Sequence, residues 1–248
     1  MKLPQLSALF LMTAAPLMLF ASSATDRQIE NAAKSSYNFR VVLDNHVTAQ
    51  ATDGVVTLTG NVPDNGLKAL AEYTAGNLPG VVRVGNQIKV ESEAAERSDD
   101  GIALKIHNLL LLRAAINATA IKVSVSKGAL LLSGSVDNMT QRGLAEDDLD
   151  DVEGVQSVNN GLTAKNPTAN NRVVAEAVDD ASIIAQIKYV LLSHRPTQAL
   201  KTVVTAKDGV VRITGDVKSG YEKDMVSHFA QSVRGVKSFT NDIAVHDN

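Results

Sequence analysis

One short apolar run occurs three times, and the spacing around it constrains the fold more tightly than any other property of the chain. The run reads GVVTLTG at Gly54–Gly60, GALLLSG at Gly128–Gly134 and GVVRITG at Gly209–Gly215. A second motif begins 20 residues after each closing glycine, as GVVRVGN from Gly80, GVQSVNN from Gly154 and GVKSFTN from Gly235. Upstream lies an apolar triplet at i, i+4, i+8, namely Ile29, Ala33, Tyr37, then Ile102, Ile106, Leu110, then Ile183, Ile187, Leu191. It precedes the first glycine by 25, 26 and 26 residues. Three landmarks in constant order and spacing mark one folding unit written three times.

Each landmark has a physical meaning. The triplet is one face of a helix. Asp53-Gly54, Lys127-Gly128 and Asp208-Gly209 precede an apolar strand and predict tight hairpins, because glycine tolerates the positive φ that such turns require. In the second strand Val56, Leu58 and Val62 share a face, as do Leu130, Leu132 and Val136, and Val211, Ile213 and Val217. The closing glycine marks a bend or a close backbone approach. A second helix follows, with caps expected at Asp64 and Asp137, and it ends near Gly80, Gly154 or Gly235. The expected fold is α+β: three tandem αββαβ units, each with two helices on one face of a three-stranded mixed sheet. Which neighbour the last strand takes stays open at this level.

The ordered pattern of helix, "V.V..G.V.L.G.V" hairpin, helix and "GV..V.N.I.V" strand resembles the BON domain of osmotically induced periplasmic proteins of Gram-negative bacteria. The expected copies span 25–91, 99–165 and 180–248. The resemblance implies a non-enzymatic envelope-stress protein with weak affinity for phospholipid surfaces. Its alternative implication is a periplasmic chaperone, a holdase for exported or outer-membrane proteins. Residues 1–24 are expected to be a signal peptide: Lys2, an apolar run from Leu9 to Phe20, and small residues ending at Ala24. The mature chain is then expected in the periplasm with no transmembrane segment.

Composition narrows the chemistry. There is no cysteine, so thiolate metal sites and cysteine nucleophiles are excluded. Twenty-four basic against 27 acidic residues give a net charge of −3, without the positive field of a nucleic-acid binder. The glycine runs match neither a dinucleotide fingerprint nor a phosphate loop, and no Gly-x-Ser-x-Gly elbow is present. His46, His107, His194, His228 and His246 show no metal-ligand spacing. No enzyme, cofactor or metal is expected.

Charge differs between the copies, at −1, −3 and +2 in order. Glu146, Asp147, Asp148, Asp150, Asp151 and Glu153 crowd the second helix of repeat 2, which reads as a solvated face and lacks the glycine-punctuated spacing of a calcium loop. Repeat 3 is the expected contact for anionic phospholipid, through Lys188, Arg195, Lys201, Lys207 and Arg212. Leu109 to Leu112 and Val190 to Leu192 are runs too long for one helix face to bury on its own sheet. Either neighbouring repeats cover them, or Leu109, Leu111, Leu112, Val190 and Leu192 meet lipid or an unfolded client. The linker 91–98 is short, whereas that from Asn166 to Asp179 either flexes at NPTANN or continues into the next helix.

Overall fold

The computed structural model describes residues 23–169, 177–197 and 201–246. Repeat 1 runs α1 (Ser23–Ser35), a π turn at Asn38–Val42, β1 (Val47–Thr52), β2 (Val55–Val62), α2 (Asn65–Gly76), β3 (Arg83–Asn86) and β4 (Lys89–Val90). Repeat 2 opens with the single-turn α3 (Glu93–Glu96) and continues through α4 (Asp99–Leu112), β5 (Ile121–Ser126), β6 (Ala129–Val136), α5 (Met139–Glu146), β7 (Ser157–Asn160) and β8 (Thr163–Ala164). Repeat 3 comprises α6 (Asp180–Ser193), β9 (Thr202–Lys207), β10 (Val210–Val217), α7 (Gly220–Ser232) and β11 (Ser238–Val245).

In every repeat the second hairpin strand is central. β2, β6 and β10 each pair antiparallel with the preceding strand and parallel with the last one, so the crossover carrying the second helix joins parallel neighbours. The inward residues anticipated from the pattern, Val56, Leu58 and Val62 and their counterparts, are all buried. The two-residue turns have positive φ at both positions, for example 51° at Asp53 and 74° at Gly54, which is the geometry that suits the twist of a hairpin.

Three side-chain devices recur with the fold. Asp26, Asp99 and Asp180, each three residues before the first isoleucine, clamp the hairpin turn from the start of the first helix. Asp180 accepts from Asp208 N at 2.7 Å and Gly209 N at 2.8 Å, and the other two copies do likewise. Asn86, Asn160 and Asn241 tie the last strand to the second helix: Asn160 Nδ2 donates to Arg142 O at 2.8 Å while its Oδ1 accepts from Leu162 N. At Gly134 a Cβ would sit 2.3 Å from the Ala120 carbonyl oxygen, so the backbone approach expected at the closing glycine is real. Asp64 caps α2 through Leu67 N at 2.7 Å. The cap of α5 is Asn138 instead of Asp137, because Asn138 accepts from Gln141 N while Gln141 Oε1 turns back to Asp137 N.

The repeats share one continuous core, with α6 at its centre. Every residue of α6 from Ala181 to Ile187 is buried, together with Tyr189, Val190 and Leu191. A helix apolar on all sides has to be enclosed on all sides. Its own sheet takes one side and α2 of repeat 1 another, close enough that a Cβ on Gly66 would lie 2.7 Å from the Tyr189 ring. A buried polar network seals this junction. Asn38 Nδ2 donates to Thr74 Oγ1 at 2.8 Å and to Ser182 O, Gln186 Nε2 donates to Asn38 Oδ1 at 2.8 Å, and Asp179 Oδ2 accepts from Tyr37 N.

Repeats 2 and 3 meet in a pseudo-twofold arrangement. Ala114 N donates to Ser232 O and Arg195 N donates to Asp151 O, both at 3.0 Å. These are the same two positions exchanged between copies, since Ala114 and Arg195, like Asp151 and Ser232, are 81 residues apart. The bridges Arg113 to Val233 and His194 to Val152 obey the same exchange. One repeat's first-helix end thus closes on the other's second-helix end, in the self-complementary manner of a dimer.

The expected signal segment lies outside the described residues up to position 22, and the expected cleavage point after Ala24 falls in the first turn of α1. The last two residues of NPTANN and the first five of RVVAEAV, 170–176, lie outside them as well. Among the described residues no helix is long and apolar enough to cross a membrane.

Candidate binding surfaces

The five basic residues singled out in repeat 3 do not form one patch. Lys188 is half-buried on α6: its Nζ lies 4.6 Å above the Tyr73 ring and donates to Thr202 O at 3.2 Å. Burial lowers its pKa. Arg195 donates to the carbonyls of Asp150 and Asp151 and so fastens repeat 3 to repeat 2. The other three share the open face of one sheet. Strand alternation puts Lys201 and Lys207 on the solvent side of β9 with Val203 and Thr205. Arg212 occupies the same side of β10 and lies diagonally from Lys207, whose direct partner is Val210. Arg212 also pairs with Asp242 on the neighbouring strand.

This face combines cations with apolar side chains. Val203 is 61% and Val210 53% exposed, between and beside Lys207 and Arg212. The equivalent first strands carry mostly hydroxyl and amide groups, Thr48, Gln50 and Thr52 on β1 and Lys122, Ser124 and Ser126 on β5, while β6 presents Leu131, 40% exposed, where β10 has Arg212.

The leucine runs divide in the structure. Leu109, Leu112 and Val190 are buried where the repeats meet, Leu111 is partly buried, and Leu192 is 43% exposed. Packing between repeats therefore covers three of the five residues considered for client contact. What sequence spacing could not show is the set of cross-repeat arginines. The Arg234 guanidinium of repeat 3 donates to Arg113 O and Ile116 O of repeat 2 at 2.9 Å, and Arg195 likewise reaches Asp150 O and Asp151 O, whereas Arg113 donates within repeat 2, to Leu144 O at 2.6 Å and to Asp147 O.

Two histidines also belong to this junction. His194 is 1% exposed, stacks on Phe229 with centroids 4.1 Å apart, and donates from Nδ1 to Val190 O at 2.7 Å. Burial pushes its pKa down to about 4, with Arg113 and His228 acting in the same direction and the Val190 carbonyl and Asp148 against it. His228 Nε2 reaches Asp148 at 2.5 Å and Asp147 at 3.3 Å. The acidic run of repeat 2 thus faces an imidazole of repeat 3, 80 residues away in the chain. The ligand atoms of these three residues lie within 4.8 Å of one another, with the imidazole in hydrogen-bonding reach of Asp148.

A second surface lies between repeats 1 and 2, as a groove of about 530 Å³. Its apolar lining comes from the end of the π turn and the residue after it, the end of β2, the start of α2 and one side of α4. Leu104, His107, Asn108 and Leu111 of α4 form one wall, and Asp44 and Glu91 stand at the exposed margin.

Comparison with known proteins places these observations. The family model of the BON domain matches three times, at residues 25–92, 98–166 and 179–247. The chain is 31% identical over 145 residues to osmotically-inducible protein Y of Escherichia coli (strain K12), covering 58% of this chain and 71% of that protein. It is 27% identical over 134 residues to the outer membrane lipoprotein DolP of Haemophilus influenzae, covering 53% and 68% respectively. Among solved structures, CdsD, a structural protein of the type III secretion system of Chlamydia trachomatis, aligns over 90% of this chain and 92% of its own. Its 16% identity and TM-score of 0.26 are too low to bear on function.

Proposed function

Because the chain belongs to the BON-domain family, with three copies filling most of its length, we propose that it is a non-enzymatic periplasmic protein of the osmotic or envelope stress response that docks weakly on anionic phospholipid through repeat 3. Its similarity to an osmotically inducible protein and to an outer-membrane lipoprotein supports the setting. The observation that carries the docking surface is the open sheet face on which Lys201, Lys207 and Arg212 surround the exposed Val203 and Val210. Each basic group near an anionic leaflet contributes about 1 kcal/mol, falling off within a Debye length. Three such groups, one of them shared with Asp242, give weak, salt-sensitive association. Lys188 and Arg195 are committed to contacts within the protein and are left out of this surface.

Flotation with phosphatidylglycerol-containing vesicles tests the proposal. Binding should appear at low salt, fade at high salt, and be abolished by Lys201→Glu with Lys207→Glu. Binding that is absent at low salt, or unchanged by the double variant, would refute it. The holdase alternative drew on the leucine runs, and with Leu109, Leu112 and Val190 enclosed it has less to stand on than phospholipid docking.

A further inference from the structure

We propose that the groove between repeats 1 and 2 is a binding site for an extended peptide segment carrying aliphatic side chains next to Lys or Arg. This site is distinct from the phospholipid surface in both position and charge.

The first argument is the inequality of equivalent helix faces. Residues Leu104, His107, Asn108 and Leu111 of α4 occupy the positions of Ala185, Lys188, Tyr189 and Leu192 in α6. In repeat 3 that side is covered by α2, with Tyr189 against Gly66 and Lys188 over Tyr73. In repeat 2 the same side faces the groove, and Leu104 is left 40% exposed. The face that α2 covers in repeat 3 stands open and apolar in repeat 2. Opposite it, Val41, Val62 and Leu67 complete an apolar trough whose volume lies in the range of about 300–1,000 Å³ that holds specific ligands.

Charge selects the occupant. The groove is lined by Asp44 and Glu91, with His46 and His107 as its other titratable groups and no Lys or Arg among the lining residues. Burial lowers the pKa of His107, which favours its neutral form. An anionic amphiphile such as a fatty acid or a phospholipid headgroup would therefore bring like charge against two carboxylates, a juxtaposition that excludes partners. A segment with apolar side chains and flanking cations places the former in the trough and the latter on Asp44 and Glu91.

The test is a fluorescence-anisotropy titration of the full chain with two labelled peptides, one alternating leucine with lysine and one alternating leucine with glutamate. The lysine peptide should bind at least about tenfold more tightly. Leu104→Arg should weaken it by about tenfold or more, and Asp44→Lys with Glu91→Lys should invert the preference. All three positions are exposed, and the φ of 44° at Asp44 is one that lysine already adopts in this chain, at Lys127 with φ 50°, so the variants should keep the wild-type circular dichroism. Lys201→Glu with Lys207→Glu should leave peptide binding unchanged, which separates this site from vesicle docking. Equal binding of the two peptides, or an undiminished affinity in Leu104→Arg, would overturn the proposal. Displacement of the lysine peptide by monomeric dodecyltrimethylammonium at comparable affinity would overturn it in favour of a small cationic amphiphile.

Discussion

Replacing His194 by glutamine should remove most of the acid sensitivity of the junction between repeats 2 and 3. In the folded protein this imidazole is enclosed against Phe229 and its pKa is held down to about 4, whereas in the unfolded chain it titrates near 6.5. The unfolded state therefore binds more protons between those two values. Stability is complete above about pH 6.5, is lost as the pH falls through the window, and levels off below about pH 4. At about 1.36 kcal/mol per pKa unit the full loss is about 3 kcal/mol, most of it present by pH 4.5. With a urea m-value of about 2–3 kcal/mol/M, that moves the unfolding midpoint by about 1 M. Other groups titrate in the same range, so the relevant quantity is the difference between wild type and His194→Gln. The variant should be less stable at pH 7, having lost the Val190 hydrogen bond and the stacking on Phe229, yet fall much less between pH 7 and pH 4.5. Parallel losses in the two proteins would refute the assignment of this pH dependence to His194.

Other consequences are equally direct. Ile187→Ala, at a fully buried position of α6, should cost about 2–5 kcal/mol in chemical denaturation, with repeats 1 and 3 loosening together because the helix serves both. Gly134→Ala forces a side chain onto the Ala120 carbonyl at a φ of 111° and should destabilise by about 1–3 kcal/mol or more on thermal unfolding. Gly143→Ala is the matched control: nothing lies within 4 Å of its added carbon, so helix propensity alone should raise stability by about 0.5–1 kcal/mol.

The units themselves were legible in sequence because their determinants are local. A positive-φ turn favours glycine, so Asp53-Gly54, Lys127-Gly128 and Asp208-Gly209 marked the hairpins, and period-two alternation fixes which of Val56, Thr57 and Leu58 turns inward. The cap at α5 fell one residue away from Asp137 because Asp137 and Asn138 are both good caps, and only the reach of Gln141 decides between them. The Asp26, Asp99 and Asp180 clamps could have been found, since each stands three residues before the first isoleucine of its triplet. The partner of the last strand was open, because parallel pairing with β2, β6 or β10 depends on a crossover and not on the residues of the strand. The surplus leucines signalled that a helix face needed cover but not what would cover it. Packing α6 between repeats, and pairing Asp148 with His228, are contacts between copies that no spacing within a copy can encode. The basic residues of repeat 3 illustrate the same limit: five cations close in sequence were split by the fold into two structural contacts and one exposed trio.

Solution scattering addresses the joining of three copies around α6 most directly. A compact chain of 248 residues should show a radius of gyration of about 18 Å, with a bell-shaped Kratky profile and a single-peaked distance distribution. A radius well above about 22 Å with an extended, multi-peaked distribution would mean that the copies hang independently, and the shared core described here would be wrong.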